Sequence, residues 1–192
     1  MELKKINVKV FTAAPNQVPL TDFIDIFHGW IQATDGVYHD VADYSHMQGG
    51  PGIVLVAADA NVSIDETGNR RGLLYSQKSQ LGGSNLEKLS TVLRSALENC
   101  QRLEEEPALG GKLKFTGNEV EIVVNDRLVA PNTEETFDEI RPDVDLLALR
   151  LYSTTNFTLL QNKKDPRQRL GMTISTPLLF ETKMLLNNLQ LI

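Results

Sequence analysis

Residues 53–77, IVLVAADANVSIDETGNRRGLLYSQ, decide the fold. Ile53 to Ala58 is apolar throughout, the pattern of a central strand covered on both faces. Val62 to Ile64 and Gly72 to Gln77 read as two more strands, joined by a tip at Asp65 to Asn69. Links this short suit antiparallel neighbours, whereas parallel ones need a crossover of about a dozen residues or more.

Outward from this stretch, helices alternate with further hairpins. On the C-terminal side, Ser84-Asn85-Leu86-Glu87 has the capping-box pattern. Leu86, Leu89, Leu93, Ala96, Cys100 and Leu103 then recur at helical spacing, up to Pro107 and Gly110-Gly111. Lys112 to Phe115 and Glu119 to Val124 read as a hairpin about Gly117-Asn118. Asn132 or Thr133 can cap a helix carrying Phe137, Ile140, Val144, Leu147 and Leu151 on one face, which Pro142 should kink or divide. A last hairpin joins Phe157–Leu160 to Leu170–Thr176.

On the N-terminal side, Ile6, Val8 and Val10 alternate with polar residues, as in a half-buried strand. Pro15 and Pro19 mark a connection. A helix then starts at Thr21, whose hydroxyl can cap it, with Asp22 and Asp25 in the first turn and Phe23, Phe27, Trp30 and Ile31 as its stripe. Val37 to Tyr44 alternates so that Val37, His39, Val41 and Asp43 share the core face. The expected fold is α+β: a mainly antiparallel sheet with helices packed on one face. Hairpins follow helices in both halves, which suggests a pseudo-duplicated arrangement. Residues 1–177 read as one domain, and 178–192 as an amphipathic tail that packs on it or on a partner subunit.

Composition narrows the function classes. The chain has 192 residues, enough for a core without disulfide or metal staples, and Cys100 is its sole cysteine. A reducing, cytoplasmic setting is the simplest expectation. The N-terminus lacks the apolar run of a signal peptide, and no stretch is apolar enough to span a bilayer. A net charge of −6 repels a phosphate backbone, so nucleic acid is an unsuitable partner. The basic stretch Lys163 to Arg169 reads as a solvated hairpin tip with no aromatics to stack bases. The tail carries one Glu and one Lys on its polar face, unlike a membrane-surface helix.

All three histidines, His28, His39 and His46, fall between residues 28 and 46. His39, Asp43 and His46 have the donor types of a metal site, although their spacing matches no established motif. The plainer account makes His39 a core histidine hydrogen-bonded to backbone. Asp43, Ser45 and His46 have the residue types of a hydrolytic triad, but adjacent residues rarely meet correctly. Gly49-Gly50-Pro51-Gly52 lacks both nucleotide-binding loop patterns and precedes a strand, so its glycines fit a tight connection. A ligand-contacting turn would combine Tyr44, His46, Gly50 and Gly52. A second candidate is the polar loop Asn125-Asp126-Arg127, since loops on rigid scaffolds concentrate binding residues. It could recognise a polar ligand or pair with the Arg70/Arg71 hairpin; ordinary turn chemistry before a helix cap is the alternative.

The runs Ile26–Gln32, Asp40–His46 and Gly50–Val56, with Gly72–Tyr75 and Val124–Leu128, resemble a family of uncharacterised bacterial proteins, cyanobacterial ones included. The resemblance spans about residues 6–176. It implies a bacterial, cytosolic, single-domain protein and carries no catalytic residue across.

The leading expectation is therefore a non-enzymatic protein that binds a small-molecule ligand or a protein partner, as a homodimer, with no cofactor. One alternative is a metal-dependent hydrolase or oxygenase using His39, Asp43 and His46. Another is an assembly or accessory factor docking through its C-terminal segment.

Overall fold

The computed structural model describes residues 1–14, 18–162 and 165–190. Pro15, Lys163, Lys164 and Ile192, which figure in the expectations above, lie outside the described residues. The chain runs β1 (Ile6–Thr12), α1 (Asp22–Ala33), β2 (Tyr38–Tyr44), β3 (Gly52–Ala57), β4 (Ala60–Asp65), β5 (Gly72–Gln77) and α2 (Asn85–Glu104). It continues with β6 (Phe115–Val124), α3 (Glu134–Tyr152), β7 (Thr158–Gln161), β8 (Leu170–Ser175) and α4 (Thr182–Gln190).

Among the described residues the strands form one sheet in the order β2-β3-β4-β5-β1-β6-β8-β7, each neighbour antiparallel. Two similar halves meet at its centre. In each, a first strand (β1 or β6) is followed by a helix and a meander whose last strand (β5 or β8) returns beside it. A further helix then closes each half.

The helices cover one face. Ile6, Val8 and Val10 of β1, Ile53 and Leu55 of β3, Ile122 and Val124 of β6, and Met172 and Ile174 of β8 are buried in one core with the helix stripes. The α2 capping box forms: Ser84 Oγ accepts from Glu87 N at 3.3 Å, and Glu87 Oε2 accepts from Ser84 N at 2.7 Å. Its Leu89, Leu93, Ala96, Cys100 and Leu103 are buried. The tail forms α4, whose Leu185, Leu186 and Leu189 pack into the same core beside α2 and α3.

Several expectations are corrected. Residues 115–124 form one strand, not the second arm of a hairpin about Gly117. Gly117 instead admits the chain before α4: a Cβ there would stand 2.1 Å from the Phe180 carbonyl oxygen. Pro142 does not divide α3. It is exposed, and buried Ile140 and Val144 hold the helix on either side, so packing outweighs the local penalty. Thr133 caps α3, accepting from Thr136 N at 3.3 Å, whereas Thr21 makes no side-chain cap to α1. β3 is not buried throughout: Gly52, Ile53, Leu55 and Ala57 are buried, whereas Val54 and Val56 are half-covered because, among the described residues, no helix packs on the sheet's second face. Conversely, β1 is buried on both faces, Asn7 and Lys9 included.

Candidate functional site: a cleft on the helix-free sheet face

The unexpected burial of Lys9 marks the site. Lys9 points away from the helices, yet it is only 4% exposed and its ion-pair partner Asp65 only 2%. Lys9 Nζ lies 2.5 Å from Asp65 Oδ2 and also donates to the Thr67 carbonyl oxygen at 3.2 Å. Thr67 folds back to satisfy the same carboxylate, its N–H donating to Oδ2 at 3.1 Å and its hydroxyl to Oδ1 at 2.7 Å. Gly72 gives the lysine stem room: a Cβ there would stand 3.1 Å from Lys9 Cε. A buried ion pair persists only when desolvation is offset by close geometry and further hydrogen bonds, and both are present here.

Around this pair the helix-free face forms a cleft of about 990 Å³, at the upper end of the range for small-molecule sites. The cross-strand row Leu74–Lys9–Glu121–Thr173 crosses its floor. Burial raises the Glu121 carboxyl above the usual range, and the Lys9 charge works against that rise. Glu121 Oε1 accepts from Asn162 Nδ2 at 2.6 Å, while Asn162 Oδ1 accepts from Thr173 Oγ1 at 2.7 Å. Asn61 Oδ1, two strands from β1, is shielded and accepts no hydrogen bond among the described residues.

Arginines frame the cleft. Arg70 stacks 3.7 Å over the Phe11 ring and makes a bidentate pair with Glu119 at 2.7 and 2.8 Å, strapping one end. At the other end are Arg127, Arg167 and Arg169. Arg167 is bonded to Asp165 at 3.0 Å. Arg127 donates to the Arg167 carbonyl oxygen at 2.6 Å. Neither Arg127 nor Arg169 pairs with a carboxylate among the described residues. Among the described residues, once the internal pairs are set aside, Arg127 and Arg169 remain at the rim without a carboxylate partner, and one acid, Glu121, remains in the floor.

The structure thus brings Asn125 and Arg127 to the cleft. Asp126 does turn chemistry, its Oδ1 accepting from Leu128 N and Val129 N at 3.2 and 3.3 Å. The loop does not pair with Arg70 or Arg71; Glu119 holds Arg70 and Glu66 holds Arg71. Tyr44, His46, Gly50 and Gly52 do not line this cleft. Gly52, at φ +63°, lets β3 approach β4, since a Cβ would stand 2.0 Å from the Ile64 carbonyl oxygen. Gly50 holds the neighbouring tip, its carbonyl accepting from Glu66 N at 3.0 Å.

His39 is not a core histidine. A bulge between Tyr38 and Asp40 breaks the alternation of β2, so Tyr38 and Val41 pack on the core while His39 is exposed. His28 and His46 are exposed too. Asp43 Oδ1 accepts from Ser45 N at 2.8 Å, and the Ser45 hydrogen bonds hold its carboxyl below the usual range. Among the described residues no group of three His, Cys, Asp or Glu is placed to hold a metal ion, His39, Asp43 and His46 included. Among them also, no helix is long and apolar enough to cross a membrane.

Sequence reasoning missed Lys9, Asp65, Glu121 and Asn162. The available signal was a Lys and a Glu in mid-strand, opposite in charge, each facing away from an apolar alternation. Their juxtaposition needed the pairing of β1 with β6, which lie far apart in the chain. No protein-family model, curated protein or solved structure matches this chain.

Proposed function

We propose that the protein binds a small oxyanion, a phosphate- or carboxylate-bearing molecule, in the cleft on the helix-free face. One observation carries this reading: among the described residues Arg127 and Arg169 stand without carboxylate partners at the mouth of a cleft of about 990 Å³, in a chain of net charge −6. Guanidinium groups present paired donors that match an oxyanion, and charge-assisted bonds of this kind are the strong ones. The floor supplies acceptors and a neutralised ion pair rather than a nucleophile beside a base, so the chemistry favours binding over turnover.

Thermal unfolding with pyrophosphate and with citrate tests this. A ligand at a hundred times its Kd adds about 2.7 kcal/mol, a rise of roughly 5–10 °C for a chain of this size. The rise is expected in the native protein and absent from Arg127→Ala/Arg169→Ala, whose ligand-free melting temperature should stay within about 2 °C because both side chains are exposed. No rise with either anion, or an equal rise in the double variant, overturns the reading.

A further inference from the structure

The Glu121 carboxylate is only half used. Asn162 occupies Oε1, and Asn162 is itself fixed, since its carbonyl takes the Thr173 hydroxyl and its amide lies across Gly171, where a Cβ would stand 2.9 Å away. Among the described residues nothing donates to Oε2. Lys9, directly opposite on β1, is turned to Asp65 and Thr67 instead. A part-buried acid lacking a bonded cation invites a charged donor from outside.

Its distance from Arg127 and Arg169 gives the span. Glu121, Val123 and Asn125 follow one another on the same face of β6 and its extension, about 13 Å of strand. Gly171 pairs with Val123, so Arg169 comes level with Asn125. We propose that the ligand is an amino-bearing oxyanion: Arg127 and Arg169 hold the anionic group, and Glu121 Oε2 accepts from a protonated amine toward its other end. A monosaccharide phosphate carrying an amine meets both demands once the arginine side chains lean inward. This rests on the oxyanion reading above and adds the second point of recognition.

The test is titration calorimetry at pH 7.5 with glucosamine 6-phosphate and glucose 6-phosphate, which differ by one amine in place of a hydroxyl. The amine-bearing probe is expected to bind about tenfold tighter. Glu121→Gln should bring its affinity down to about that of glucose 6-phosphate. Asn162→Ala, which releases the carboxylate from its fixed position, should weaken the amine-bearing probe alone. Equal affinities in the native protein, or a preference that survives Glu121→Gln, overturn the proposal. So does binding of neither sugar while pyrophosphate still binds. If pyrophosphate also fails, the oxyanion reading falls with it.

Discussion

Replacing Lys9 with Met tests whether the cleft floor is built on a desolvated ion pair. Methionine keeps most of the stem lying over Gly72 and removes only the ammonium group. The Asp65 carboxylate, 2% exposed, is then left with its two Thr67 donors and no cation. Breaking a buried pair in this way costs about 3–5 kcal/mol, against a total stability of roughly 5–15 kcal/mol. Melting should fall by roughly 6–20 °C at 2–4 °C per kcal/mol. Removing both charges in Lys9→Met/Asp65→Leu should recover most of the loss, because the penalty belongs to the orphaned charge rather than to the pair. Urea denaturation followed by fluorescence of Trp30, the chain's only tryptophan and 4% exposed, reads Lys9→Met, Asp65→Leu and the double variant. A Lys9→Met loss under about 1 kcal/mol, or a double-variant loss equal to the sum of the singles, would refute the reasoning.

Three other outcomes are expected. Burial raises the native Glu121 carboxyl, aided by Asp65 and Glu119 and opposed by Lys9 and Arg70. The unfolded chain therefore loses this proton first as pH rises, and stability falls from the ordinary carboxylate range up through the native pKa. Glu121→Gln removes that slope, so its urea midpoint should rise relative to the native protein across this window; a relative fall contradicts the assignment. Gly117→Ala forces a Cβ against the Phe180 carbonyl and should cost about 1–3 kcal/mol, with hydrogen exchange accelerated in α4 first; unchanged exchange there would show that α4 does not depend on this close approach. Burial pushes the Cys100 thiol well up. Labelling by an aromatic disulfide at pH 8 should therefore wait for global unfolding, and fast labelling of the folded protein would place the thiol at the surface.

Local physics made much of the fold legible. The α2 capping box, the stripe from Leu89 to Leu103, and the β4–β5 hairpin about Asp65 to Asn69 are short-range patterns, and each forms where the sequence places it. The failures arise where strand pairing or packing overrides the local signal. Gly117-Asn118 has turn chemistry but is held straight within β6, which pairs with β1 and β8, while Gly117 receives Phe180 from a distant segment. His39 changed face because one residue was accommodated as a bulge, which no alternation count detects.

The candidate site divides the same way. Asn125 and Arg127 were visible as a polar loop after a strong strand, whereas Lys9 and Glu121 looked like the solvent side of half-buried strands. By itself the sequence determined the helices, most of the strands, their antiparallel sense and the helix-covered face, because periodicity, caps and turn residues act within a few positions of one another. Only the tertiary structure decided that β1 lies between β5 and β6, and that sheet order sets Lys9 beside Asp65 and opposite Glu121. The contacts that choose it span the whole chain.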